Sequence, residues 1–340
     1  MRPAQHVELF MHGCIACQHF LFVGGIARNR PLLEKGCQIL TAIRDFGLLL
    51  MPEHIEWKQP TAKGKPPRIF PILQKRICFT ELTVSELPQH AKEFGRFSLE
   101  FDIDTLRRLG AIPVFYIPQP TAEGLDGNAV GVGLLGVTMD ARTIIGRLAG
   151  LARILNGPTP VAEQLTLNMS FTRSPEQTGN FTINSAEAKS LLRAVGHGTT
   201  PWDPLDFGIN SLLNFFYPAD DVKHDKLLDY YRQREWRIAC AFTINGIQVL
   251  RVPTASEKAR FLKIDPKFFG RQIQTDSGPV NALDNALVHP GLNGITMIQM
   301  VRRVIVPAAA VGRVTNILAK LAHPPQIVST DTLRLAEQAF

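Results

Sequence analysis

No uninterrupted apolar stretch in this chain reaches the roughly eighteen residues needed to cross a bilayer, so no membrane span is expected. Cysteine is scarce and unpatterned: Cys14, Cys17, Cys37, Cys78 and Cys240 are an odd number at irregular spacing. That excludes a disulfide framework and favours a reducing compartment, the cytoplasm. Only one C-x-x-C occurs, and no second pair follows at finger or ribbon spacing. His12, Cys14, Cys17 and His19 crowd one segment, but neighbours in sequence rarely close a four-ligand zinc tetrahedron by themselves. No metal is therefore expected. The N-terminal residues, with Glu8, His6, His12 and the cysteine pair, do not fit a secretory signal, and Met11 is an alternative start. There is no Ser-His-Asp order, no Walker lysine loop and no paired-carboxylate motif. No run of five or six basic residues exists either, although the net charge is +7 and the pI about 9.3. A dispersed basic surface admits a nucleic acid or another acidic partner, and equally a merely soluble one.

What the chain does have is an ordinary globular composition, 45% hydrophobic and 20% charged over 340 residues. That length suits one large domain, residues 1–340, with an insertion. The densest local signals lie between Arg76 and Ile117. Arg76–Thr80 is rich in strand formers. Ser85 opens a helix with Pro88 in its first turn, and Gly95 closes it. Phe97, Leu99 and Phe101 alternate with Ser98 and Glu100, which predicts a half-buried strand. Asp104 opens a short helix, Gly110 ends it, and Pro113 leads into a strand over Val114–Ile117. Earlier, Ile39–Leu50 reads as a helix ending near Gly47.

Later, Gly131-Val-Gly133-Leu-Leu-Gly136 matches G-x-G-x-x-G in form. A dinucleotide loop needs a strand directly before and a helix directly after, whereas Gly127-Asn128 precedes and Val137-Thr138 follows, so it is rejected. Arg142–Leu155 and Ser185–Val195 read as helices, and 121–210 as a helical insertion. Leu227–Arg234 reads as helical, and Trp236, Ile238, Cys240 and Phe242 alternate along a strand. Asn245-Gly246 then marks a type I′ hairpin that returns Ile247–Val252 antiparallel. Glu235 and Arg237 share the face opposite Trp236. At the end, a strand at Val301–Val306, a helix at Ala308–Leu321 and a strand at Ile327-Val328 predict one β-α-β unit.

The blocks Cys78-Phe-Thr-Glu-Leu82, Phe94-Gly-Arg-Phe-Ser-Leu-Glu-Phe101 and Ile112-Pro-Val-Phe-Tyr-Ile117, followed far along by Tyr231-Arg-Gln-Arg-Glu-Trp-Arg237, resemble the AbiGi-type abortive phage-resistance family. The resemblance covers roughly 20–120 and 210–330. It implies an antitoxin-like or regulatory subunit of a bacterial anti-phage or toxin–antitoxin system, restraining a cognate effector or toxin protein. There is a weaker resemblance to DarT-type ADP-ribosyltransferases, carried by Glu235 beside Trp236 and by the Ile112–Ile117 strand. That resemblance implies an enzyme spending NAD on a nucleic-acid or protein acceptor, with Glu235 as the catalytic carboxylate. The family histidine before F-x-G is replaced by Leu21, with His19 two residues earlier.

Each candidate has a structural alternative. Glu235 can stabilise an oxocarbenium-like centre or act as a base, or it can simply pair with Arg237 or Arg234. Tyr116 can stack on a nicotinamide or a base, or pack with its hydroxyl satisfied. His90 can line a pocket with Cys78 and Glu81, or sit as a hydrogen-bonded, half-buried ring. Cys78 itself reads as an inert core thiol. His19, His90, Tyr116 and Arg237 are thus the candidate ligand contacts and Glu235 the candidate catalytic residue. The expected fold is α+β: a mixed, partly antiparallel sheet with flanking helices and a helical insertion, with an ADP-ribosyltransferase-like sheet as its finer form.

Overall fold

The structure is a computed structural model. It describes residues 8–12, 30–59, 68–82, 86–87, 91, 95–118, 129–158, 163–171, 174–195, 212–213, 215–219, 234–239, 243–244, 247–275 and 278–331. The protein is α+β. In chain order the elements are β1 (Glu8–His12), α1 (Arg30–Phe46), β2 (Leu48–Gln59), β3 (Arg68–Glu81), β4 (Ser98–Asp102), α2 (Ile103–Arg108), β5 (Ile112–Pro113) and β6 (Phe115–Pro118). Next come α3 (Ala129–Leu155), β7 (Gln164–Phe171), β8 (Ser174–Asn184), α4 (Ser185–Val195), β9 (Phe216–Ala219), β10 (Glu235–Ala239), β11 (Thr243–Ile244) and β12 (Ile247–Gln248). The remainder is α5 (Ala255–Ile264), α6 (Pro266–Phe269), β13 (Gln272–Thr275), β14 (Gly278–Asn281), β15 (Leu287–His289), β16 (Gly291–Leu292), β17 (Ile295–Thr296), β18 (Arg303–Val306), α7 (Val311–Leu318) and β19 (Gln326–Ser329).

The chain divides into two compact units. The first comprises residues 1–58, 65–119 and 214–340; the second comprises 59–64 and 120–213. The second unit is not purely helical. Besides α3 and α4 it holds the antiparallel pair β7–β8. Ala152 and Leu155 of α3 pack on Ala188 and Leu192 of α4. Helix α3 begins at Ala129, so Gly131, Gly133 and Gly136 lie inside a helix and form no phosphate loop.

In the first unit, the main sheet runs β15-β2-β3-β1-β4-β18-β19, with β10 on β3 and β5 on β10. The pairs β1–β3, β1–β4, β10–β3, β10–β5, β15–β2 and β18–β4 are antiparallel, and β18–β19 is parallel, with Val304 opposite Ile327. That pair, joined through α7, is the expected β-α-β unit. Side chains alternate across a strand, so the two faces of β3 have different fates. Ile77 and Phe79 enter the main core with Leu99, Phe101, Val304, Val306 and Ile238, against Ile39, Leu40 and Ile43 of α1 and Val314 and Leu318 of α7. Phe79 and Phe101 meet edge to face at 5.7 Å. The opposite face carries Gln74, Arg76, Cys78 and Thr80.

Several local expectations change. Helix α1 stops at Phe46 and Gly47 turns with φ +104°, so Leu48 is the first residue of a strand rather than part of the helix. Only glycine fits there, because a Cβ would meet the His289 carbonyl oxygen at 2.1 Å. Strand β4 is buried on both faces: Glu100 has no exposure and is ion-paired with Arg303 and Arg302. Alternation misled here because an ion-paired carboxylate lies under cover. The cap of α2 is Asp102, whose carboxylate accepts from the Thr105 amide at 2.9 Å; Asp104 is the first-turn acid. Strands β11 and β12 flank Asn245-Gly246 in antiparallel register, Ile244 opposite Ile247, as the hairpin reading requires. A second Asn-Gly turn, Asn293-Gly294 with both φ positive, joins β16 to β17 and was not singled out from the sequence.

Candidate functional site

The site grows from the register of β10 on β3. Glu235 lies opposite Thr80, Arg237 opposite Cys78, and Ala239 opposite Arg76. Glu235 and Arg237 therefore share the polar face with Gln74, Arg76, Cys78 and Thr80, while Trp236 and Ile238 turn towards the core. Strands β6 and β9 pair in parallel, Phe115 with Phe216 and Tyr116 with Tyr217, and bring two tyrosines to this group. The tyrosine rings meet edge to face at 6.2 Å.

The contacts are dense. Arg237 donates to Glu235 through Nε (2.7 Å to Oε1) and Nη2 (3.2 Å to Oε2). Tyr116 donates its hydroxyl to Glu235 Oε2 at 2.7 Å. The Cys78 thiol supplies a further hydrogen bond to the same carboxylate. A carboxylate offers about four lone-pair positions, and Glu235 accepts from three side chains. Gln74 donates to the Phe216 carbonyl at 3.0 Å and accepts from Arg76. Arg76 is ion-paired with Glu53. Both guanidiniums lie over the Tyr217 ring, Arg76 at 5.0 Å and Arg237 at 4.8 Å from its centroid. Two arginines against Glu53 and Glu235 leave the group formally neutral, which is how four charges are tolerated where Arg237 is only 1% exposed.

The electrostatics follow from that pairing. Burial works to raise the pKa of Glu235, but Arg237 and Arg76 overcome it and hold the carboxyl down to about 2. Burial and the neighbouring Glu235 charge push the Tyr116 phenol well above its ordinary value, so it stays a neutral donor. Burial acts to lower both guanidiniums, yet their carboxylate partners hold them above the ordinary arginine value. A carboxylate held near 2 is a poor proton acceptor at neutral pH. Its chemical capacity is to hold and orient a cation, and to tie β10 to β6.

Three of the five predicted site residues meet here: Glu235, Arg237 and Tyr116. Tyr116 is engaged through its hydroxyl. His19 and His90 lie outside the described residues, as does the Cys14–Cys17 segment. Cys78 corrects its expectation: it is half-buried on the polar face, not in the core. Glu53, Gln74, Arg76 and Tyr217 were missed. The signal for Arg76 was present, since Arg76, Cys78 and Thr80 alternate with Ile77 and Phe79. Phe115-Tyr116 and Phe216-Tyr217 also repeat a dipeptide, but nothing in one sequence says that the two copies pair. Among the described residues, no group of three or more His, Cys, Asp or Glu could hold a metal ion, and no helix is long and apolar enough to cross a membrane. No protein-family model, curated protein or solved structure matches the chain.

Proposed function

We propose that this chain is a regulatory, antitoxin-like subunit of a bacterial anti-phage abortive-infection or toxin–antitoxin system, acting in the cytoplasm on a cognate effector protein. The sequence blocks quoted above supply the class. One observation carries the choice of a binding role over chemistry: Glu235 accepts from Arg237 twice, from Tyr116 and from Cys78, within a charge-balanced group. Such a carboxylate serves to fix the surrounding strands.

A second reading keeps an ADP-ribosyltransferase-like sheet and an activity that spends NAD on a nucleic acid or protein. It is favoured by the meeting of Glu235, Arg237 and Tyr116, the residues expected for it, at one place. Incubating the purified protein with labelled NAD, alone and with DNA or cell lysate, separates the two. The regulatory reading expects no transferred label and no thermal shift with NAD. Label transfer that disappears in Glu235→Gln, with the variant still folded, would overturn it in favour of the enzyme.

A further inference from the structure

We propose that Cys78 is a redox-responsive thiol, the site at which this protein is modified by small hydroperoxides. Reactive thiols sit in partly exposed, positively charged surroundings, whereas inert ones are buried among apolar groups. Cys78 is partly exposed, and although Glu53 and Glu235 balance the charge of the group as a whole, two guanidiniums are among its neighbours. It is half-buried rather than buried, directly across the ladder from Arg237 and two residues from Arg76 on the same strand face. Both guanidiniums interact with it electrostatically. Cys37 provides the contrast within the same chain, at 5% exposure inside the apolar core.

A second observation points to a ligand beside the thiol. Thr80 is 1% exposed, and its hydroxyl has no hydrogen-bond partner among the described residues. Arg76 is 4% exposed, and its Nε–H is likewise unmatched. These two residues flank Cys78 on either side along one face of β3. Buried polar atoms without partners are rare enough to need an occupant. A hydroperoxide has the right chemistry, because each of its oxygens accepts a hydrogen bond while the sulfur attacks. In the step itself, the Cys78 sulfur forms a bond to the nearer oxygen and the O–O bond breaks. The sulfur is oxidised from thiol to sulfenic acid and the hydroperoxide is reduced. The thiol proton ends on the departing oxygen, giving water from hydrogen peroxide or an alcohol from an organic hydroperoxide. The Thr80 hydroxyl and the Arg76 N–H steady that oxygen as it takes on charge. The modified sulfur no longer offers Glu235 the same hydrogen bond, so the change reports directly to the charged group.

The test is to treat the full chain with hydrogen peroxide, trap sulfenic acid with a 1,3-dione, and follow Cys78 and Cys37 by peptide mass spectrometry. Cys78 is expected to be trapped at least about tenfold faster than Cys37. Thr80→Val, which removes the unmatched hydroxyl at nearly constant shape, is expected to slow trapping at Cys78 about tenfold without lowering the melting temperature. Thr80→Ser is expected to keep the wild-type rate. Equal rates at the two cysteines, or an unchanged Cys78 rate in Thr80→Val, would overturn the assignment. The outcome does not depend on whether the protein is a regulator or an enzyme.

Discussion

Arg237 is almost completely enclosed and donates twice to one carboxylate. Replacing Glu235 by Gln keeps the shape and removes the charge, leaving a buried guanidinium without its counter-ion. Breaking such a pair costs about 3–5 kcal/mol, which urea unfolding will register as a lower midpoint. Tyr116→Phe removes one hydrogen bond to a charged acceptor and should cost about 1.5–3 kcal/mol. Because both changes act on the same oxygen, the double variant should lose clearly less than the two single losses combined. Additive losses would mean that Tyr116 and Glu235 are not coupled.

At the scale of elements, two glycines of positive φ separate two costs. Gly95 has φ +100° with nothing near the position of a Cβ, whereas Gly47 has φ +104° with the His289 carbonyl oxygen at 2.1 Å. Gly95→Ala should therefore cost only the backbone term, about 1–2 kcal/mol. Gly47→Ala adds a collision at the α1–β2 corner where β15 pairs, and should exceed about 3 kcal/mol. Equal losses in thermal denaturation would contradict the close approach. The short helix α5 shows how an element end can be secured from outside as well as from within. Thr254 and Glu257 form a reciprocal capping box, and Arg251 pairs with Glu257 through two bonds, 2.6 and 2.7 Å long.

For the molecule as a whole, two of the buried groups in the first unit make its stability depend on acid. His289 has no exposure and one long contact to the Leu109 carbonyl oxygen at 3.3 Å; burial lowers its pKa from 6.5 to about 4. The unfolded chain takes up that proton first. Stability is then full above pH 6.5 and falls as the pH drops from 6.5 to about 4, by about 3 kcal/mol. Glu235 acts lower down, since its folded value is depressed. Its contribution is present above pH 4.5 and is lost as the pH falls through about 2. Urea unfolding across pH 3 to 8 should therefore show a first decline beginning near 6.5. His289→Gln should flatten that first decline and leave the lower one.

The sequence by itself determined which segments become helices and strands where period and punctuation agree. It determined helix α4 to the residue, the terminal β-α-β unit and the hairpin at Asn245-Gly246. It also put Glu235 and Arg237 on one face, because strand alternation is a local rule. Tertiary structure alone decided what lies across from them. The pairing of β10 with β3 sets Arg237 against Cys78, and β6 on β9 brings Tyr116 and Tyr217 in from a hundred residues apart. Burial too was decided there: Glu100 reads as a surface residue until Arg302 and Arg303 are folded over it. The physical reason is that a charge is tolerated inside only through a partner, and the partners here are distant in sequence.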